Sequence, residues 1–306
     1  MGLWAMTTAL SDGLRPTLAE LVALQRAATR RAPPRRGRYG LAGPAPALQR
    51  GRGMEYVESR EYVPGDDARH IDWRVTARSG RAHTKLFQAE REQLSLIVAD
   101  TAPALYFGTR LRYKSVQAAR AAAIAAWAAQ RRGDRLAALR GSRAEALVPP
   151  TTGQRGVLRV LDALVRWYAQ PPAEDAGLVV ALDHAERLLR SGARLYVFVD
   201  PVSASKVPLV RWAALAAHHE VTAVLLTDPL ETAPPAQALT FLADEMWVEV
   251  DLSMPDGMRR WHAQFGEAAA TLQHELEVRG VHAPLLSTAD ASDAWRVGAG
   301  RQEAVR

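Results

Sequence analysis

Two aspartates stand where apolar runs end: Asp100 closes LSLIVAD at residues 94–100, and Asp200 closes ARLYVFVD at 193–200. Runs of this kind suit strands covered on both faces. In an open α/β sheet, ligands bind outside the carboxyl ends of the strands, where the strand order reverses. If these two strands are neighbours there, two carboxylates converge at the rim, an arrangement suited to a hard divalent cation such as magnesium. A magnesium site needs further oxygen donors in a near-octahedral array. The loop after Asp100 reads TAPAL, with alanine at 102 and 104 and Thr101 one residue out of step. A later loop offers Thr151 or Thr152, one hydroxyl at most. The expected metal set is therefore Asp100, Asp200 and Thr152, with weak or absent binding, and magnesium is the only cofactor suggested. Each aspartate alternatively caps the turn after its own strand.

The densest run of chemically capable residues is REYVPGDDARHIDWRVTAR, Arg60 to Arg78. It sets Arg60, Arg69, Arg74 and Arg78 against Glu61, Asp66, Asp67 and Asp72, with aromatic and apolar residues between them. Opposite charges this close in sequence pair with each other and with backbone, holding an irregular loop. The same set also offers an aromatic-centred surface edged with arginine, a combination enriched at protein interfaces. The expected interaction residues are Arg60, Glu61, Tyr62, Pro64, Gly65, Asp66, Asp67, Arg69, Ile71, Asp72, Trp73 and Arg78.

Other chemistries have less support. The chain contains no cysteine, which excludes disulfides, thiol catalysis and thiolate metal sites together. HExxH, GxSxG and P-loop patterns are absent. Only His218 and His219 adjoin one another, and adjacent helical positions point apart. The net charge of +6 is modest, its excess lying in TRRAPPRRGRYG and at Arg50 and Arg52. Aromatic residues interleave sparsely with it, so nucleic acid is an unlikely partner. No apolar run reaches the roughly 18–20 residues of a membrane span. The opening residues lack the charged and apolar regions of a secretory signal, so the expected location is the cytoplasm.

Elements to position these residues follow from periodicity. Thr17 caps a short amphipathic helix reaching about residue 31, and an arginine, proline and glycine-rich arm follows to 53. Residues 54–92 read as a small β-rich element, with extended runs at Met54–Val57 and His83–Gln88. Strand and helix then alternate. Strands are expected at 94–100, 135–139, 144–149, 193–200 and 221–228, and helices at 114–132, 154–168, 177–191 and 206–218. WVEVDL at 247–252 adds a last strand, an amphipathic helix covers 258–279, and the chain frays from Trp295. This pattern specifies an α/β fold, a doubly wound and mostly parallel sheet with a small N-terminal β-rich element. The expected divisions are 1–53, 54–92, a main domain at 93–290 and a flexible tail at 291–306.

The run EYVESREYVPGDDARHIDWRVTARSGRAHTKLFQAEREQLSLIVAD, together with GDRLAAL and with TDPLE near Asp228, resembles the bacterial family catalogued as domain of unknown function fifty-eight. The likeness runs from about Gly51 to Asp100, resumes at the two later motifs and covers most of the chain. It implies a von Willebrand factor A-like (Rossmann-like) domain and association with MoxR-type AAA+ ATPases, which serve as chaperones or assembly factors. Members often keep a DxSxS metal loop at the position of Asp100; here Ala102 and Ala104 replace both serines. Many members begin with two transmembrane helices, and this chain resembles the shorter type. The expected function is a non-enzymatic adaptor that partners a MoxR-type AAA+ ATPase in maturing other proteins. Two alternatives stay open: a metal-dependent ligand-binding domain or metal-assisted hydrolase at Asp100 and Asp200, and nucleic-acid binding through the arginine arm.

Overall fold

The computed structural model describes residues 12–29, 54–64, 66–89, 93–243 and 246–296. Gly65, the arm at 30–53 and the tail at 297–306 lie outside them. The chain divides into a small unit, Arg36–Glu92, and a large one formed by Met1–Arg35 with Gln93–Arg306.

In the small unit, β1 (Met54–Glu61) pairs antiparallel with β2 (His83–Ala89), with a register shift between Tyr56 and Glu58. The segment between them is not wholly irregular, because it holds a 3₁₀ turn at Ala68–His70 and a helix at Trp73–Ser79. Asp72 starts that helix by accepting from the N–H groups of Arg74 and Val75, both at 3.2 Å. Gly80 ends it at φ 71°, a left-handed cap that glycine adopts without a Cβ penalty.

In the large unit, α1 (Leu18–Ala23) begins at Thr17, whose hydroxyl accepts from the Glu20 N–H; a 3₁₀ stretch, Leu24–Thr29, continues it. The helix at Trp73–Ser79 is α2. The remaining helices are α3 (Lys114–Arg131), α4 (Gly153–Tyr168), α5 (Gly177–Leu188), α6 (Pro201–Ser205), α7 (Leu209–His218), α8 (Pro229–Thr232), α9 (Pro255–Gln264) and α10 (Gly266–Val278). The strands are β3 (Leu94–Ala99), β4 (Arg135–Arg140), β5 (Val148–Thr151), β6 (Arg194–Val199), β7 (Glu220–Thr227), β8 (Ala238–Ala243), β9 (Met246–Asp251) and β10 (Leu285–Ser287). A central sheet of six runs in the order β10-β7-β6-β3-β4-β5. It is mixed: every neighbouring pair is parallel except β4 with the edge strand β5.

Alternation along each strand feeds two cores. Ile97, Ala99, Tyr196 and Phe198 face a layer built from α3, α4 and the α1 segment. Leu96, Val98, Leu195 and Val197 face α5, α7 and α10. Helices therefore cover both faces of the sheet. The alanines of α3 are buried nearly all round, which allows close approach on several sides at once.

Four expectations need correcting. WVEVDL does not join the sheet, since β9 pairs with β8 in a separate two-stranded ribbon and the last sheet strand is the three-residue β10. The helix expected at 206–218 is α7, which starts only at Leu209, after Pro208, and a separate short helix, α6, precedes the expected span. The segment 258–279 breaks at Phe265 into α9 and α10. Neither end of the described chain is loose. Trp295 is buried, packed edge-on against Tyr196 and Phe198. Leu21 is buried too, and its carbonyl accepts from the Trp127 indole N–H at 3.1 Å.

Candidate functional site

The strand order reverses between β3 and β6, which lie side by side in parallel register. Asp100 and Asp200 follow their last residues, so the reversal brings the two aspartates together at the carboxyl edge. Asp100 is buried, and its Oδ1 and Oδ2 accept from the N–H groups of Ala102 and Asp200, each at 3.1 Å. Burial pushes its pKa up to about 6, against the pull of those N–H groups and of the Ser203 hydroxyl. Asp200 begins α6, with Oδ1 accepting from the Val202 N–H at 2.8 Å and proline following at the first helical position. Both aspartates do cap the turns after their strands.

The sequence reading missed the cation of this site. Lys114 is only 2% exposed, and its Nζ donates to Asp200 Oδ2 at 2.7 Å and to Glu231 Oε1 at 2.6 Å. It also lies 5.7 Å from the centroid of the Phe107 ring. Lys114 is the first residue of α3, a helix with no side-chain cap and no acidic residue in its first turn. A helical side chain leans back toward the N-terminus, and α3 follows β3, so this lysine reaches the carboxyl edge of the sheet. The helix dipole opposes a cation at that position. Burial also disfavours the ammonium, but Asp200 and Glu231 together outweigh it and hold the Lys114 pKa above its ordinary value. Glu231 is held above the usual carboxylate range, burial exceeding the opposing pull of Lys114.

Glu231 is delivered by the motif TDPLE. Asp228 caps α8 by accepting from the Leu230 N–H, and Glu231 returns to accept from the Asp228 N–H at 2.8 Å, forming a capping box. Asp228 itself is fully buried, and its carboxylate also accepts from the Thr109 N–H, the Thr109 hydroxyl and the Thr288 hydroxyl. Burial alone would raise its pKa; these hydrogen bonds more than offset it and leave the group below the usual range. The D-x-x-E spacing is an ordinary capping-box signal for a helix start that the family motif TDPLE contains. Its second use, holding Lys114, is not readable from spacing.

These donors do not fit a divalent cation. Asp200 and Glu231 already share an ammonium, the alanines at 102 and 104 offer no oxygen, and Thr152 is exposed at the start of α4. The Thr101 hydroxyl is buried with no partner among the described residues, a single donor where several are needed. Among the described residues, no group of three His, Cys, Asp or Glu is placed to hold a metal. Beside the ion pair lies a cavity of about 190 Å³, lined by Asp200, Ser205, Glu231 and Gln264 and walled by Val202, Phe265 and Leu272.

The Arg60–Arg78 segment belongs to the small unit, and its charges are largely engaged there. Arg60 pairs with Asp66 at 2.7 Å, Glu61 with Arg81 at 2.9 Å and Asp67 with Arg69 at 3.6 Å. Asp72 is buried; besides capping α2 it accepts from the Ser59 hydroxyl at 2.9 Å, the bond that contributes most to lowering its pKa. Ile71 forms a bridge to Thr84, and the Tyr62 N–H donates to the Ala82 carbonyl. Trp73, in contrast, is 71% exposed, and Pro64, Arg69 and Arg78 are exposed with it. Gly65 lies outside the described residues.

Comparison with known proteins gives the relationship. The profile of the family described as "Protein of unknown function DUF58" matches residues 58–280. The uncharacterized protein Rv1480 of Mycobacterium tuberculosis (strain ATCC 25618 / H37Rv) is 34% identical over 244 residues, which are 78% of this chain and 75% of that protein. The uncharacterized protein Mb1516 of Mycobacterium bovis (strain ATCC BAA-935 / AF2122/97) matches with the same identity and coverage. Among the described residues, no helix is long and apolar enough to cross a membrane. The match spans both the Asp66–Trp73 segment and the Lys114–Asp200–Glu231 cluster, and the chain belongs to the DUF58 family.

Proposed function

We propose that this chain is a non-enzymatic, cytoplasmic interaction adaptor on a von Willebrand factor A-like domain. Its partner would be a MoxR-type AAA+ ATPase, served in the assembly or maturation of other proteins. The observation that carries the reading is the buried Lys114 ammonium between Asp200 and Glu231. At the edge where a domain of this type would hold a metal, two carboxylates already share an ammonium from the chain itself, which favours a contact surface over metal chemistry. The strand order, reversing between β3 and β6 with helices on both faces, supports the doubly wound class.

The contact surface in this reading is the Arg60–Arg78 segment, whose internal ion pairs keep it in shape while Trp73 stands out as the aromatic anchor. Asp72 is a poor residue to test, because it caps α2 and its loss disturbs the segment. Trp73→Ser removes the anchor and leaves the described hydrogen bonds in place. Affinity capture with the full chain should recover an AAA+ ATPase equally in magnesium and in EDTA, and the Trp73→Ser protein should lose it. Capture that needs magnesium, or that persists with folded Trp73→Ser, overturns the proposal.

A further inference from the structure

The β8–β9 ribbon stands apart from the central sheet and is mounted firmly at its base. Phe241 stacks on Trp261 of α9 with ring centroids 5.5 Å apart, and Trp261 packs on Phe265 at 4.5 Å. The Trp261 indole N–H donates to the Leu230 carbonyl at 2.9 Å. Leu252, at the foot of β9, is fully buried, and Gly257 lies so close to the Asp251 carbonyl that a Cβ would stand 2.0 Å from it.

Beyond that base the ribbon is bare. Strand alternation puts Phe241 and its cross-strand partner Val248 on the face toward Trp261, so Leu242 and Trp247, the next pair, point the other way. Leu242 is 62% exposed and Trp247 is 74% exposed. On their face the following pair is Thr240 with Glu249, then Ala238 with Asp251, all exposed. From 238 to 251 the sequence has four acidic residues, Asp244, Glu245, Glu249 and Asp251, and no basic one, in a chain of net charge +6. Glu249 makes no ion pair among the described residues.

We infer that this face of the ribbon docks an extended, arginine-bearing segment of another protein. An indole two residues from a carboxylate on one strand face matches a peptide strand that sets a guanidinium against Glu249 and an apolar side chain on Trp247 and Leu242. Arginine suits both the carboxylate and the ring. Among the described residues the ribbon pairs with no third strand, so its outer edges offer backbone groups for strand addition. Charge argues against the two other occupants of an apolar ribbon: a second copy would oppose carboxylate to carboxylate, and an anionic bilayer would be repelled. Because the chain as a whole is basic, it repels a cationic peptide except at such a patch. None of these residues belongs to the Arg60–Arg78 segment, which is part of the other unit.

The test is fluorescence anisotropy with the full-length protein and a labelled nonapeptide of alternating arginine and threonine around a central leucine. The wild type should bind it saturably, more weakly as salt rises. Trp247→Ser and Glu249→Lys should each weaken binding by roughly tenfold or more while leaving the circular dichroism spectrum and melting temperature unchanged. The peptide with glutamate in place of arginine should not bind. The proposal is overturned by any of four results: no saturable binding, equal binding by the folded variants, equal binding of the glutamate peptide, or Trp247-dependent dimerisation or adsorption to phosphatidylglycerol vesicles in place of peptide binding.

Discussion

Lys114→Met keeps most of the aliphatic stem and deletes the charge, leaving Asp200 and Glu231 buried without their shared cation. Removing one partner of a buried ion pair costs about 3–5 kcal/mol. A second route to the magnitude agrees. The variant relieves itself most cheaply by protonating one carboxylate, and Glu231 has an ordinary value of 4.5. Holding a proton there at pH 7.5 costs about 4 kcal/mol, at roughly 1.4 kcal/mol for each pH unit. For a body of this size, the loss lowers the melting temperature by roughly 6–20 °C. The pH dependence carries the sign. In the variant the folded-state pKa of the protonated carboxylate lies above its unfolded value, so stability is present at low pH and lost as pH rises through the folded value. Urea midpoints at pH 7.5 and 5.5 should show the deficit shrinking by about 3 kcal/mol at the lower pH. Adding Glu231→Gln, which keeps the capping box, should recover part of it at pH 7.5. A deficit below about 1 kcal/mol at pH 7.5, or one equal at both pH values, would refute the buried-pair argument.

Asp100 gives a related prediction: with its folded pKa raised to about 6 from 3.8, its contribution is fully present below 3.8 and lost as pH rises through 6. Between pH 7 and 5 the wild type should therefore gain stability relative to Asp100→Asn, measured as the difference in urea midpoint slopes. Millimolar magnesium or manganese should leave the wild-type melting temperature unchanged, because a cation that does not bind the folded state cannot stabilise it; a concentration-dependent rise would reinstate a metal site. Leu21→Ala should cost about 2–5 kcal/mol in urea unfolding, since Leu21 is fully buried against the α3–α4 layer. Trp295→Ala should cost about 3–5 kcal/mol by the same assay, through loss of its packing on Tyr196 and Phe198.

The parts of the fold legible in sequence were those whose burial is written locally. LSLIVAD and ARLYVFVD are apolar on both faces because both faces are covered, and β3 and β6 lie where they were expected. The β10 strand is three residues long, too short for any periodicity, so WVEVDL is the last strand-like run that the sequence presents. Its alternation is real, but it describes a ribbon resting on α9 by one face only. In the Arg60–Arg78 segment the density of charge masks the helix, although Asp72 and Gly80 are ordinary helix start and stop signals. Trp295 belongs to no periodic apolar run that would mark it as core; its partners lie on β6, about a hundred residues earlier.

The ion cluster was hidden for a different reason. Lys114 lies 86 residues from Asp200 and 117 from Glu231, and each of the three has a sufficient local explanation: a helix start, a strand end and a capping box. A local clue existed all the same, because a lysine opening an uncapped helix with no acid in its first turn is electrostatically adverse and has to be offset from elsewhere. At the sheet edge the offset comes from carboxylates on the loops after β6 and β7, Asp200 and Glu231. Lys114 is tethered through α3 and cannot leave as a bound ion can, so the two carboxylates keep their counter-charge, and only a variant such as Lys114→Met exposes the cost of burying them without it.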